Sequence, residues 1–251
     1  MNSPRFTALC GLLFAACAAQ AQPACPAEVL GTARTLTLPR AAAAYGRVQH
    51  AALPGLERGE VVLTFDDGPR PESTPKVLQA LREQCVKATF LMNGGPLLQH
   101  LALARRTQAA GHSVGLHGFR HSHFGAMPAQ DQLADLNAAE AAFRDAFGQS
   151  APAYRFPFLE ETPTLLGALA AGRTTVMSVD LGIDDWLPDQ TPKMLADRLI
   201  ERLAGTGGGI VLMHDAQDLT AAALPLMLQA LKRHGYRVVH LRWQEPEPQV
   251  K

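Results

Sequence analysis

The amino-acid sequence predicts an α/β fold in which a parallel sheet closes into a barrel. Short apolar runs alternate with longer segments of helical periodicity, seven such runs occur, and conspicuous polar residues follow their C-terminal ends. The chain has 251 residues, which suits one main domain with short appendages. Seven strands with intervening helices favour a closed or nearly closed barrel over an open doubly wound sheet, although composition does not separate the two.

The predicted strands are the apolar runs at residues 61–65, 88–92, 113–117, 153–156, 174–180, 209–214 and 236–241. Helical periodicity lies between them, at residues 74–84, 96–110, 129–147, 162–171, 191–204 and 220–234. Helix boundaries carry the expected residues: Thr-Pro pairs begin two of the helices, and a glycine stands just past four helix ends.

The first 21 residues have the pattern of a secretory signal peptide. Arg5 precedes an apolar stretch at 6–19, which ends in the small-residue pattern A-x-A at 19–21. This stretch is shorter than the roughly 20 apolar residues that a membrane-spanning helix needs. We therefore expect a secreted or periplasmic protein that is cleaved near Ala21 and has no transmembrane segment in the mature chain. A lipoprotein signal ending at Cys17 is the weaker alternative.

The remaining chain divides into an N-terminal arm at 22–59, a main domain at 60–243 and a disordered tail at 244–251. The arm is rich in Ala and Pro and contains one short predicted strand at 35–38. Cleavage leaves two cysteines, Cys25 and Cys85, and the sequence leaves open whether they form a disulfide.

Positive and negative side chains balance at 23 each, without a long run of one sign. This pattern gives no reason to expect a nucleic acid or a membrane surface as partner.

Ionisable residues stand at or just after the ends of five predicted strands, where parallel α/β folds build their active sites. These residues are Asp66, Asp67, His117, Arg155, Asp180 and His214. Adjacent residues that leave a strand point in different directions, so one acid of the 64–69 run Thr-Phe-Asp-Asp-Gly-Pro can hold a metal while the other takes a proton. Taken alone, this run is also ordinary turn chemistry.

Two histidines four residues apart, His117 and His121, follow the third predicted strand. Their spacing lets both bind one cation if the backbone coils into a helical turn. A His-x-x-x-His pattern alone is a weak signal, but two histidines plus one aspartate leave a coordination position for water, as in catalytic zinc sites.

The order of these residues resembles that of the polysaccharide deacetylases with a NodB homology domain, carbohydrate esterase family 4. The resemblance runs from about Val61 to Leu241 and includes the 64–69 run, the segment 111–121, and Leu-Met-His-Asp at 212–215. It implies a distorted TIM-like (β/α)7 barrel. It also implies that Asp67, His117 and His121 bind one divalent metal, that Asp66 is the general base and that His214 is the general acid.

Two further motifs of this family are altered here. The third reads Arg155-Phe156-Pro157-Phe158-Leu159 instead of Arg-x-Pro-Tyr-Gly. The resemblance implies that Arg155 pairs with Asp66 and that a backbone N–H near Phe158 belongs to an oxyanion hole.

The fourth motif has different spacing over 180–186, so either Asp180 or Asp185 orients His214. Trp186 either stacks on a sugar ring or packs against the protein. His112 is interpreted as structural. A surface or strand-end position is expected of the other histidines His100, His234 and His240.

The sequence therefore predicts a hydrolase that removes acetyl groups from an acetylated carbohydrate polymer such as peptidoglycan, an exopolysaccharide or a chitin-like glycan, with N- and O-acetyl groups both open. Zinc is the expected metal, and the ligands also admit cobalt, nickel or manganese. A non-catalytic carbohydrate-binding relative is the first alternative, since two motifs are altered. A glycosidase with paired carboxylates ranks last, because the histidine pair would have no role in it.

Overall fold

The computed structural model describes residues 25–245. The predicted signal peptide, and all but the first two residues of the predicted tail, lie outside this range. Within it, ten strands form one sheet in which all strand pairs are parallel.

The strands are β1 (Thr32–Pro39), β2 (Ala44–Tyr45), β3 (Glu60–Asp66), β4 (Thr89–Met92), β5 (Ser113–Leu116), β6 (Ala153–Tyr154), β7 (Thr175–Met177), β8 (Leu181–Gly182), β9 (Gly209–His214) and β10 (Arg237–Gln244). The helices are α1 (Thr74–Glu83), α2 (Gly94–Gln99), α3 (Leu101–Ala109), α4 (Ala129–Phe147), α5 (Pro163–Ala171), α6 (Pro192–Thr206) and α7 (Asp218–Arg233).

The sheet closes into a distorted barrel around β3. Strands β3 to β7 pair in sequence order, and β9 pairs with the other side of β3. Strand β8 pairs with β9 and follows β7 after a break at residues 178–180, so the chain itself completes the ring. The predicted α/β barrel is confirmed. The strand predicted at 174–180 is wrong in its extent, because the chain there changes partner from β6 to β9.

The predicted N-terminal arm contributes two strands to this sheet. Strand β1 is longer than the strand predicted at 35–38 and pairs with β10 along its length. The apolar side chains Leu38 of β1 and Val239 and Leu241 of β10 form one cluster with inward residues of the barrel strands. These inward residues are Val62, Leu91, Ala153, Met177 and Ile210. Each buried Val, Leu, Ile or Met side chain of this cluster contributes on the order of 1.5–3 kcal/mol, so the barrel interior is a packed core.

The alternation along β3 decides which of its side chains enter the barrel. Val61, Leu63 and Phe65 belong to the cluster that packs against the helices. Because successive side chains of a strand point to opposite faces, Thr64 and Asp66 point into the barrel with Val62. This register carries a carboxylate to the C-terminal mouth of the barrel.

The helices largely follow the predicted pattern. Helix α4 has the predicted bounds, and the hydroxyl groups of Thr162 and Thr191 accept hydrogen bonds from Leu165 N and Met194 N at the starts of α5 and α6. The single helix predicted at 96–110 is two helices, because the backbone leaves the helical conformation at His100. No helix in the described part of the chain is both long and apolar enough to cross a membrane.

A disulfide joins Cys25 to Cys85. It fastens the start of the described chain to the turn that follows α1, where Thr32 Oγ1 also donates to the Cys85 carbonyl over 3.2 Å. The disulfide joins residues that are 60 positions apart in the sequence. It therefore closes a long loop and reduces the number of conformations open to the unfolded chain.

Replacing both cysteines by serine should lower the free energy of unfolding by about 4 kcal/mol, because the loop-closure model assigns that entropy to a loop of this length. Urea denaturation followed by circular dichroism measures the difference. Reduction of the disulfide in the parent should give the same loss. Equal stability of the parent and the double variant would show that the disulfide does not stabilise the fold.

Candidate active site

A buried ion pair occupies the mouth of the barrel. Arg155 donates from Nη1 to Asp66 Oδ1 over 2.8 Å, and both side chains are almost completely buried. The same guanidinium bonds to Thr64 Oγ1 and to the carbonyls of Met177 and Ser178. Burial raises the pKa of Asp66, whereas the charges of Arg155 and His214 and the hydrogen bond from Arg155 oppose that rise. The guanidinium therefore orients this carboxylate and favours its ionised form.

Asp67 turns away from the barrel axis toward the two histidines of the predicted metal site. Its φ angle of 75° ends the strand geometry of β3. Its Oδ1 lies 3.6 Å from His117 Nε2 and 3.3 Å from His121 Nε2. The three donor atoms all lie within 4.8 Å of one another.

These donors fit a divalent cation. Ligands at zinc–nitrogen and zinc–oxygen bond lengths stand roughly 3.4 Å apart in a tetrahedral site, close to the two separations found here. Burial lowers the pKa of His117 to about 3, so its imidazole is neutral and free to bind a metal. The His117 Nδ1 lies 2.9 Å from the Arg155 carbonyl, which leaves Nε2 directed at Asp67.

The two histidines do not lie on a helical turn, so that part of the sequence interpretation is wrong. Residues 117–121 have no helical structure, and the left-handed φ angles of Gly118 (77°) and His121 (53°) curl the backbone instead. This loop brings the two imidazole centroids to 5.0 Å.

His214 faces Asp67 from the end of β9. Its Nε2 is 4.0 Å from Asp67 Oδ2, and its Nδ1 is 2.7 Å from Asp185 Oδ1. The second oxygen of Asp185 accepts from the His214 backbone N–H and from the Thr220 hydroxyl. Burial by itself would lower the pKa of His214, but the hydrogen bond and charge of Asp185, with the charges of Asp66 and Asp67, raise it to about 9.

The structure places Asp180 outside this site, which corrects its inclusion among the candidate residues. Its carboxylate accepts from Arg47 and from the Ile210 backbone N–H, at the start of β9. His214 is four residues further along that strand, about 13 Å away at the usual rise per residue. The break between β7 and β8 is the reason, because Asp180 lies within it rather than at a strand end on the rim.

Phe158 and Trp186 border the cavity that contains these groups. The cavity has a volume of about 500 Å³ and is also lined by Leu159 and Leu212. Both aromatic side chains are half exposed, and Trp186 meets His214 edge to face at 5.4 Å. Phe158 lies in a turn with positive φ and stacks on His123 at 3.7 Å. Apolar side chains thus flank the acids and histidines.

Two polar residues beside the site, Asn93 and Asp215, received no role in the sequence analysis. Asn93 is buried and donates from Nδ2 to Asp67 Oδ1 over 3.2 Å. Asp215 is buried under the turn at Gly68 and accepts from Thr74, and burial raises the pKa of Asp215 to about 7. The position of Asn93 at the end of β4 is the sequence signal that could have found it.

His112 and His240 lie away from the site. His112 is buried at the start of β5, where its Nδ1 accepts from Ala88 N. His240 is also buried and hydrogen-bonds with Ser113 Oγ, so the expectation of a surface or strand-end position is wrong for it. Burial lowers the pKa values of His112 and His240 to about 3 and about 4.

Comparison with known proteins identifies the family. Residues 55–176 match the family model described as polysaccharide deacetylase. A chitin deacetylase of Colletotrichum lindemuthianum is 30% identical over 192 residues, which are 72% of this chain and 77% of the relative. Its solved structure has a TM-score of 0.67 at 29% identity and covers 73% of this chain and 85% of its own. The chain belongs to the polysaccharide deacetylase family.

Two further relatives extend well beyond the part of their chain that matches this protein. A peptidoglycan-N-acetylglucosamine deacetylase of Listeria monocytogenes is 33% identical over 183 residues, which are 71% of this chain but 37% of the relative. The solved structure of a peptidoglycan deacetylase of Bdellovibrio bacteriovorus has a TM-score of 0.76 at 29% identity and covers 88% of this chain and 62% of that one. The chain thus spans little more than a third of the Listeria protein.

Replacing Asn93 by alanine should weaken zinc binding about 10-fold, because a residue that orients a metal ligand typically contributes at least that much to affinity. Isothermal titration of the metal-free protein with zinc measures the change. The exposed Asn137→Ala variant on α4 is the matched control, and equal affinities of the two variants would show that the amide does not support Asp67.

Proposed function

We propose that this chain is a metal-dependent hydrolase that removes N-acetyl groups from a polymer containing N-acetylglucosamine, such as peptidoglycan or a chitin-like glycan. One observation carries the proposal. Asp66, Asp67, His117, His121 and His214 line one cavity, where Asp66 is paired with the buried Arg155 and His214 with the buried Asp185. The relatives support N-acetylglucosamine as the acetylated sugar, since two of them are named as peptidoglycan deacetylases and one as a chitin deacetylase.

We further propose zinc as the cation held by Asp67, His117 and His121, because two imidazoles and one carboxylate suit it. A bound divalent cation would supply Lewis acidity toward the acetyl carbonyl and toward the attacking water. The chain's own contribution is a neutral His117 and an Asn93 amide that hold the donor atoms in place.

Asp66 is the proposed general base. Its Oδ1 is bound by Arg155, while its Oδ2 faces the metal donors, 3.9 Å from His117 Nε2. Asp66 accepts the proton that water loses as its oxygen forms a bond to the acetyl carbon. A carboxylate whose pKa is raised by burial is the stronger acceptor for this proton.

His214 is the proposed general acid. With a pKa raised to about 9, it is protonated at neutral pH and holds its Nε2 proton toward the cavity. As the bond between the acetyl carbon and the sugar nitrogen breaks, His214 gives this proton to the departing amine. Asp185 orients the imidazole and stabilises its charged form.

We also propose that the protein acts outside the cytoplasm, in the periplasm or after secretion. The signal-peptide pattern at 1–21 and the Cys25–Cys85 disulfide support this location, because disulfides persist in oxidising compartments.

Replacing Asp66 by asparagine or His214 by alanine should each lower kcat for acetate release at least about 100-fold, because general acid and base groups contribute that much or more. Liberated acetate from N-acetylated oligosaccharides and peptidoglycan measures the rate. The exposed Asp197→Asn and His234→Ala variants are matched controls that should keep full activity.

A parent protein that binds these glycans but releases no acetate would instead establish the alternative of a non-catalytic carbohydrate-binding relative. New reducing ends without acetate would indicate a glycosidase.

Replacing Asp185 by asparagine should move the alkaline limb of the pH profile of kcat/KM to lower pH, by about one unit or more. The Asp185 carboxylate raises the pKa of His214, so its loss lets the acid deprotonate at lower pH. Acetate release between pH 5 and 10 measures both limbs. An alkaline limb that stays in place would mean that His214 is not the acid or that Asp185 does not set its pKa.

A further inference from the structure

The loop at residues 46–52, between β2 and β3, lies against the break that separates β7 from β8. The Ser178 N–H donates to the Tyr45 carbonyl over 2.7 Å, and the Val48 N–H donates to the Val179 carbonyl over 3.0 Å. Gly46 approaches this segment so closely that a Cβ atom would stand 2.4 Å from the Ser178 carbonyl carbon. The loop is therefore fixed to the barrel rather than lying free on its surface.

Two side chains of this loop reach the turn at residues 157–161, which contains the last three residues of the altered third motif. Gln49 donates from Nε2 to the Leu159 carbonyl over 2.8 Å, and its Oε1 accepts from Ser178 Oγ over 2.7 Å. His50 Nε2 lies 2.6 Å from Glu161 Oε1. The loop thus binds the turn at two successive points.

The turn has a conformation that needs such support. Phe158 and Leu159 have φ angles of 56° and 57°, in the left-handed region that disfavours side chains with a Cβ atom. Consecutive residues keep this conformation where surrounding contacts determine it. The Gln49 amide supplies such a contact at the Leu159 carbonyl, and the His123 ring supplies another against Phe158.

The nitrogen and the oxygen of the Gln49 amide contact two residues that are linked to the reaction site. Phe158 and Leu159 line the cavity, and the Phe158 ring meets the His121 ring edge to face at 4.4 Å. The Ser178 carbonyl accepts from Arg155 Nη2 over 3.2 Å. The position of Gln49 is thus linked to the cavity wall and to the arginine that holds Asp66.

We propose that Gln49 is a positioning residue for deacetylation, and that the 46–52 loop is part of the active-site framework. Gln49 fixes the left-handed turn at Phe158 and Leu159, and so fixes the backbone and the aromatic wall next to the metal donors. This role rests on the proposed function. It also gives the N-terminal segment a task in the reaction, although the segment precedes the 55–176 match to the family.

The test compares Gln49→Glu with the parent. Glutamate keeps an acceptor for Ser178 but removes the donor to the Leu159 carbonyl. We expect kcat for acetate release from an N-acetylated chito-oligosaccharide to fall about 10-fold, the size expected for one lost hydrogen bond. KM and zinc affinity should stay near the parent values, because Gln49 contacts neither the metal donors nor the cavity, and Tm should fall by no more than about 2–4 °C, the shift expected for one lost hydrogen bond. Gln49→Ala should give the same result.

Gln229→Glu is the matched control, since it makes the same change at an exposed position on α7, outside the loop and the cavity, and should leave all four quantities unchanged. An unchanged kcat in both Gln49 variants would overturn the proposal. It would also be overturned by an equal loss of kcat in the control, or by a loss that accompanies weaker zinc binding or a fall in Tm of more than about 4 °C.

Hydrogen exchange at residues 157–161 separates this proposal from the proposed function. Exchange should be faster in Gln49→Glu than in the parent, whether or not the parent releases acetate. Acetate release by the parent with equal exchange in both proteins would remove the positioning role alone. A parent that releases no acetate, with faster exchange in the variant, would contradict the proposed function and leave a purely structural contact.

Discussion

The buried ion pair between Arg155 and Asp66 is the constraint on which the rest of the site depends. Removing two charges from water costs several kcal/mol per ion, so such a pair persists only when its remaining hydrogen-bonding groups are satisfied. Arg155 meets this condition by donating to the Thr64 hydroxyl and to the carbonyls of Met177, the last residue of β7, and Ser178, the next residue. The pair therefore joins β3, β6 and β7 at the mouth of the barrel and gives the carboxylate one fixed position.

This fixed position separates the tasks of two adjacent acids. Asp66 continues the inward alternation of β3 and meets Arg155, whereas Asp67 leaves the strand with positive φ and meets His117 and His121. Negative charge collected in this way favours a cation at the donors, and it also favours the protonated form of His214. In the proposed mechanism, this one turn of the chain takes part in metal binding, proton removal and proton donation.

Much of this arrangement follows from local patterns in the sequence. Alternation along β3 and the ends of β5 and β9 predict that Asp66, His117 and His214 meet at one rim, and the bounds of α4 follow from its periodicity and the glycine after it. The break at 178–180 has no such signal in the sequence, because it depends on a change of strand partner. Asp180 lies in this break and therefore outside the site, where the sequence did not predict it. The curl of residues 118–121 and the hold of Gln49 on the turn at 157–161 depend on contacts between distant segments, which periodicity does not encode.

Anomalous diffraction at the zinc edge, from a crystal of the protein soaked in zinc, would show directly whether Asp67 and Asp66 have separate tasks. We expect one strong peak within roughly 2.0–2.2 Å of Asp67 Oδ1, His117 Nε2 and His121 Nε2. Asp66 should stay bound to Arg155 and outside the coordination shell. A peak bound by Asp66 in place of Asp67, or no zinc between the three donors, would contradict this division of tasks.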